Sequence, residues 1–348
     1  MPVDTLAFGE ALCGLPEQLA AAHEAAGKID TAKLPSAGDF DNIVVLGMGG
    51  SGISGNVLQA MATGSVPVPL VVLKHMRVPA FVGPRTLAFA MSYSGDTEET
   101  LEMARGALAG GATLVAVSSG GALQRLAEET GSLHVPCPTD IPMPRLGLGA
   151  LVAPLFVILF RMGMLPEAHA ALVNAQQQLA KRRDQCKPAV EGQKNPAREL
   201  ARRIDRTIPI VYGLGGLGGV AAMRWKQSVN ENAKAPAFWN EYPELDHNEV
   251  CAWGQHGDVT RQVFTLVELR HGMEHPRLEA RASATRELVE EAVAQVLTVE
   301  AEGDGRLAQL LDLVYLGDWT SYYLALQNDV DPGPIDAIAQ LKALLADG

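Results

Sequence analysis

Two sets of residues in this chain have the types and the spacing to do chemistry. The first is a group of hydroxyls, Ser51, Ser92, Ser94 and Thr97, in two loops that each lie between a strand-like run and a helical one. A helix N-terminus leaves backbone N–H groups unpaired and carries the positive end of the helix dipole. Hydroxyls beside such amides suit a dianionic phosphate monoester, and neutral donors let an acidic protein hold an anion without a basic patch. Gly49, in the first loop, belongs to the same expected phosphate-binding set. A plainer reading is that Asp96 or Thr97 only caps its helix, with Glu98 and Glu99 favouring the dipole. Capping needs one such residue, not four hydroxyls on two adjacent loops. The second set is Asn230-Glu231-Asn232, near the end of an alanine-rich helical stretch, followed by Pro243-Glu244-Leu245-Asp246-His247-Asn248-Glu249. A carboxylate and an imidazole among polar neighbours are the materials of general acid–base catalysis. A lone Glu is more often a solvated surface charge, and a lone His structural, so residue chemistry by itself leaves both readings open.

The elements that position these residues come as a repeat. Asn42-Ile43-Val44-Val45-Leu46-Gly47-Met48-Gly49-Gly50-Ser51-Gly52 returns as Ile208-Pro209-Ile210-Val211-Tyr212-Gly213-Leu214-Gly215-Gly216-Leu217-Gly218, with all four glycines kept. A strand, a glycine loop and a helix open a βαβ unit, so the chain carries that unit twice. Leu217 stands where the first copy has Ser51, and a leucine offers an anion nothing. The second loop is therefore expected to be a packing turn, and the first to hold the ligand. Strands are predicted at 43–46, 70–73, 86–91, 113–117 and 133–135, then at 208–212, 237–239, 263–269 and 296–299. Helices are predicted at 16–26, 52–62, 97–109, 122–129, 148–162, 166–186, 220–233, 275–294, 307–327 and 335–345. Such alternation predicts parallel sheets with helices on both faces, and the polar stretch Lys181 to Asn195 is the expected linker.

Composition bounds the function. With 348 residues, 47% of them hydrophobic and 20% charged, the chain is long enough for two globular domains. A net charge of −12 argues against a nucleic-acid surface. The longest apolar stretch, Leu146 to Phe160, holds Pro154 and two glycines and is too short to span a bilayer. No signal peptide is visible, and four scattered cysteines without CxxC spacing fit a reducing, cytoplasmic setting. The eight histidines form no ligand-spaced cluster with those cysteines, so neither a metal nor a cofactor is expected.

Gly47 to Gly52 also satisfies G-x-G-x-x-G, the dinucleotide fingerprint, which needs an acidic residue at the end of the next strand. That strand ends in Lys74-His75-Met76, which suits at best a 2′-phosphate. The hydroxyl loop at 92–97 favours a simple phosphate monoester instead.

The loop with Ser51, the Ser92-Tyr93-Ser94-Gly95-Asp96-Thr97-Glu98-Glu99 loop, Pro144-Arg145, Asn230-Glu231-Asn232 and the segment 243–249 occur in that order. Together they resemble the bifunctional phosphoglucose/phosphomannose isomerase family, built from two sugar-isomerase (SIS) domains. The likeness runs from Pro16-Glu17-Gln18-Leu19 to Leu341-Lys342. It implies two flavodoxin-like αβα sandwiches, over residues 1–180 and 195–348. It also implies interconversion of glucose 6-phosphate, and mannose 6-phosphate as well, with fructose 6-phosphate through a cis-enediol. Glu231 would move the proton between C2 and C1, and Arg145 would stabilise the enediolate. His247, with Lys342, would assist ring opening, the histidine acting in the partner's site of a homodimer. Asp246 and Asp96 depart from the asparagines common in the family, and both add negative charge beside the key side chains. The alternative is a sensor that binds a sugar phosphate through the hydroxyl loop without turning it over; such a protein has no need of Glu231, Arg145 and His247 together.

Overall fold

A computed structural model of the chain describes residues 3–32 and 34–346. It divides into two compact units, one formed by residues 14–180 with 303–308, the other by residues 1–13, 181–302 and 309–348. In the first unit, β1 (Asn42–Gly47), β2 (Leu70–Leu73), β3 (Thr86–Met91), β4 (Thr113–Ser118) and β5 (Leu133–Pro136) form one parallel sheet in the order β2-β1-β3-β4-β5. The central strands are buried along almost their whole length, because helices cover both faces. Val44, Leu46, Ala88, Ala90, Leu114 and Ala116 meet Leu101, Met103, Ala104 and Leu123 of the helices Glu98–Ala109 and Gly121–Thr130. The helix Gly49–Ala62 comes close enough to the sheet that a Cβ on Gly55 would lie 2.7 Å from Val45 Cγ1. The apolar helix Leu148–Arg161 packs against that helix and against Leu15–Gly27.

In the second unit, β6 (Ile208–Leu214), β7 (Phe238–Tyr242), β8 (Phe264–Arg270) and β9 (Gln295–Glu300) form a parallel sheet in the order β7-β6-β8-β9. Its helices include Gly215–Ser228, Pro276–Val289, most of Arg306–Gln327, and Asp336–Ala346. In both sheets the strand order reverses beside the first strand. The crossovers from β1 and β3, and likewise those from β6 and β8, therefore diverge and leave a crevice at the strand C-termini.

Several short elements depart from the sequence-based expectation. Helices also form at Phe8–Cys13, Pro196–Ile204 and Gly257–Val263. The expected linker is helical as far as Cys186, and it ends at the buried Asn195. That side chain caps the next helix by accepting from Arg198 N–H at 3.1 Å, and it donates to Cys186 O at 2.8 Å. The helix expected over 275–294 stops at Val289 and passes into the short turn Glu290–Ala292. Among the described residues no helix is long and apolar enough to cross a membrane.

Candidate active site

The first loop begins helix Gly49–Ala62 three residues earlier than the sequence pattern suggests, with Met48 as N-cap and Gly49 at φ +48°. Gly52 N–H makes the first intrahelical bond, to Met48 O at 2.8 Å, so the amides of Gly49, Gly50 and Ser51 point out of the helix end. Ser51 thus sits inside the first turn, at the C-terminal end of β1. Gly47 there pairs with Met91, the last residue of β3, which places the 92–97 loop next door. Tyr93 N–H donates to Ser51 Oγ at 3.1 Å and ties the two loops together. Ser92 Oγ and Thr97 Oγ1 pair at 2.9 Å, and Gly95 N–H donates to Ser92 Oγ at 3.1 Å. Ser94 Oγ accepts from Asp96 N–H at 3.3 Å, and Ser94 is exposed at the loop tip.

The capping reading of this loop is not how the structure uses it. Thr97 is the N-cap of helix Glu98–Ala109 but makes no side-chain cap bond. Asp96 Oδ1 accepts from Ala122 N–H at 2.8 Å, so it serves the start of the neighbouring helix. That contact, with Gly95 at φ +77° and so close that a Cβ on it would lie only 1.9 Å from Gly120 O, presses the loop against residues 120–122.

Tyr93, whose part the sequence did not reveal, links these loops to Arg145. Its hydroxyl donates to Pro138 O at 2.7 Å and to Ile141 O at 3.2 Å. Burial raises its pKa. The segment so anchored leads into the short turn Pro144–Leu146, where Arg145 is 5% exposed. The first unit therefore assembles four hydroxyls, two helix N-termini and one buried guanidinium on neighbouring segments. Lys74, the residue that kept a dinucleotide reading open, donates to Asn56 Oδ1 at 2.7 Å, and burial lowers its pKa.

The second unit holds Glu231, His247 and Lys342. Helix Gly215–Ser228 continues into a π-helical turn, Val229–Ala233, that contains the whole Asn230-Glu231-Asn232 segment. Such one-turn insertions recur at functional sites. Asn230 Nδ2 donates to Ala235 O at 2.9 Å, and Asn232 Nδ2 to Ser321 Oγ at 2.9 Å. The two asparagines brace the turn on either side of Glu231. Lys234 ends it at φ +54° and donates to Asp331 O at 2.7 Å. Glu231 lines a cavity of about 500 Å³ with Asn230, Lys234, Asp331, Ile335 and Ile338. Lys342 is exposed on the helix Asp336–Ala346, one turn beyond Ile338 and so on the same helical face.

His247 is exposed on the short turn Glu244–His247, past the other end of β7. Asp246 pins this turn by accepting from Thr285 Oγ1 at 2.9 Å and Arg281 Nη1 at 3.2 Å. Glu231 precedes β7 and His247 follows it, and five residues of strand span about 16 Å. The chain thus carries its carboxylate ahead of one end of β7 and its imidazole beyond the other. Among the described residues no group of three or more His, Cys, Asp or Glu side chains is arranged to hold a metal.

Two doubly wound parallel sheets with crevices at their switch points define the fold class. The same fold is seen in the C-terminal domain of glucosamine-fructose-6-phosphate aminotransferase from Francisella tularensis. The match has a TM-score of 0.70 at 15% identity, covering 93% of this chain and 97% of that one. The family is given by closer sequence relatives. Residues 193–345 match the bacterial phospho-glucose isomerase C-terminal SIS domain. The bifunctional phosphoglucose/phosphomannose isomerase of Caldicellulosiruptor bescii is 35% identical, covering 97% of this chain and 98% of the relative. The enzyme of the same name from Aquifex aeolicus is 33% identical over 87% of this chain and 90% of its own length. The chain belongs to the bifunctional phosphoglucose/phosphomannose isomerase family.

Proposed function

We propose that this protein is a cytoplasmic aldose–ketose isomerase that interconverts glucose 6-phosphate and mannose 6-phosphate with fructose 6-phosphate. The observation that carries this reading is the placement of Glu231 on a braced π turn beside a cavity large enough for a sugar. Family membership over nearly the whole chain supports the same reaction and disfavours the sensor. The phosphate sits on Gly49, Ser51, Ser92, Ser94 and Thr97, where helix amides and hydroxyls donate to its oxygens. Glu231 takes the proton from C2 of the open-chain sugar and returns it at C1, which a carboxylate can do without any cofactor. Arg145, permanently cationic, stabilises the negative oxygen of the cis-enediolate. Lys342 and His247 assist ring opening at the ring oxygen and the C1 hydroxyl. The separation of Glu231 and His247 along β7 supports a homodimer in which each histidine serves the partner's site. Ile338, Leu341 and Leu345, 41%, 56% and 70% exposed on the Lys342 helix, are the kind of apolar surface a partner covers.

One experiment tests the whole reading, namely solvent-deuterium exchange at C2 of glucose 6-phosphate, with turnover, in Glu231→Gln, His247→Ala and their mixture. Turnover and exchange fall about 10²–10⁴-fold in Glu231→Gln, while substrate affinity stays within a few-fold. The mixture regains about a quarter of parental activity, because half of randomly formed two-fold dimers carry one intact site. Normal exchange in Glu231→Gln removes the base assignment, and no recovery on mixing removes the shared site. No turnover in the parent leaves the sensor.

A further inference from the structure

Beneath the Glu231 turn lies a buried charge network that the reaction as described does not use. Asp318, on helix Arg306–Gln327, is 3% exposed and faces Arg224, which is 2% exposed. Arg224 Nε donates to Asp318 Oδ1 at 3.1 Å and Nη2 donates to Oδ2 at 3.3 Å. Ser228 Oγ donates to the same Oδ1 at 2.5 Å. The backbone carbonyl of Asp318 accepts from Ser321 Oγ at 2.8 Å, and Ser321 Oγ in turn accepts from Asn232. Ser228 is the last residue before the π turn and Asn232 lies within it, so both ends of the segment that displays Glu231 are fastened at one place on one helix.

We infer that Asp318 is a positioning residue for Glu231, fixing the π turn through Ser228 and Ser321 and keeping Arg224 paired away from the catalytic carboxylate. Stability alone gives little reason for such a pair, since a buried ion pair is often no better than apolar side chains of the same volume. A π turn, by contrast, abandons the regular i→i−4 ladder and needs outside bonds to hold one geometry. The field also matters. Burial lowers the Arg224 pKa, but the Asp318 and Glu231 carboxylates outweigh it and the net shift is upward. Glu231 is therefore within electrostatic reach of a guanidinium that donates two hydrogen bonds to Asp318. Without the Asp318 charge, Glu231 is the remaining carboxylate that acts on Arg224, and a base held in an ion pair is a poor base.

The inference rests on Glu231 being the proton-transferring base, and the test is a double-mutant cycle that keeps the two claims apart. Asp318→Asn, which preserves shape and can still accept from Ser228, should lower kcat at least about tenfold with KM within threefold of the parent. In a Glu231→Gln background the same change should cost nothing further, because Asp318 acts through a carboxylate already removed. Ser228→Ala, a milder cut of the same network, should lower kcat a few-fold by the same pattern and covers the case in which Asp318→Asn does not fold. Equal losses in both backgrounds, or a loss carried by KM, would show the pair to be structural only. An unchanged kcat in Asp318→Asn and Ser228→Ala would also overturn the inference. Full activity in Glu231→Gln instead would strike at the catalytic reading itself.

Discussion

The two switch-point crevices start from the same backbone and end with opposite contents. Gly47 pairs with Met91 in the first sheet and Gly213 with Leu269 in the second, so Tyr93 and His271 each lie two residues past equivalent register positions. Tyr93 N–H reaches across its crevice to Ser51 Oγ. His271 N–H donates instead to Glu274 Oε1 at 2.7 Å, and Arg270 Nη2 holds that carboxylate at 2.7 Å. The His271 ring bridges to the other loop, with Nε2 2.8 Å from Leu214 O. Leu217, in the place of Ser51, is 4% exposed and belongs to the core. The second crevice is closed by its own imidazole and its own anion. What the copies share is packing. A Cβ on Gly47 would lie 2.9 Å from Met91 O, and one on Gly213 would lie 2.0 Å from Gly218 O, so neither loop tolerates a side chain there. The glycine pattern reports a tight strand-to-helix turn, and only the surrounding side chains decide whether that turn binds anything.

The sharpest way to break the comparison is to strip the first crevice of its donors. Ser94→Ala with Thr97→Ala removes two hydroxyls proposed to hold a charged ligand, each such bond worth about 1.5–3 kcal/mol. KM for fructose 6-phosphate should rise at least about 100-fold, with the circular-dichroism spectrum unchanged. An unchanged KM would mean that the phosphate lies elsewhere, the second crevice included.

A smaller effect is expected from emptying the second crevice. Glu274→Ala leaves the His271 amide without its acceptor and Arg270 with only more distant carboxylates, Glu268 at 3.8 Å and Glu279 at 3.9 Å. The loss should be about 1–3 kcal/mol of stability, and KM for substrate should not move. Sulfate should then raise the variant's Tm by more than it raises the parent's, because an anion can replace the missing carboxylate. Equal sulfate effects would show that Glu274 does not stand in for a ligand.

Much of this was legible in the sequence, for reasons that also explain the rest. The nine strands of the described residues and the duplicated loop follow from local runs of apolar residues and glycines, and the hydroxyl loop is a contiguous motif. The π turn is not legible, because one extra residue in a helix leaves no trace in hydrophobic spacing. Nor is the Asp318 hub, whose partners Arg224 and Ser228 lie some ninety positions away in the chain. The closure of the second crevice was visible only in part: Leu217 announced the lost hydroxyl, while the turn that brings Glu274 back onto the His271 amide is set by tertiary packing. Tyr93 sits in plain view between two serines, and only the fold shows that its hydroxyl anchors the approach to Arg145.

The mildest test uses the one glycine of the repeat that is left-handed in both loops. Gly49 and Gly215 have φ of +48° and +62°, in the left-handed region that an L side chain enters at a cost of about 1–2 kcal/mol. Space is not the obstacle. A Cβ on Gly49 would meet nothing within 4 Å, and one on Gly215 would make an ordinary contact with Leu278 Cδ1 at 3.4 Å. Gly49→Ala and Gly215→Ala should therefore lower Tm by similar amounts, a few degrees each. Their kinetics should differ. At Gly49 the strain falls on amides of the proposed phosphate site, and KM should rise several-fold. At Gly215 the helix end faces a crevice already filled by His271 and Glu274, and KM should stay at the parental value. Parallel changes in KM would mean that both crevices take part in binding, and the contrast between them would fail.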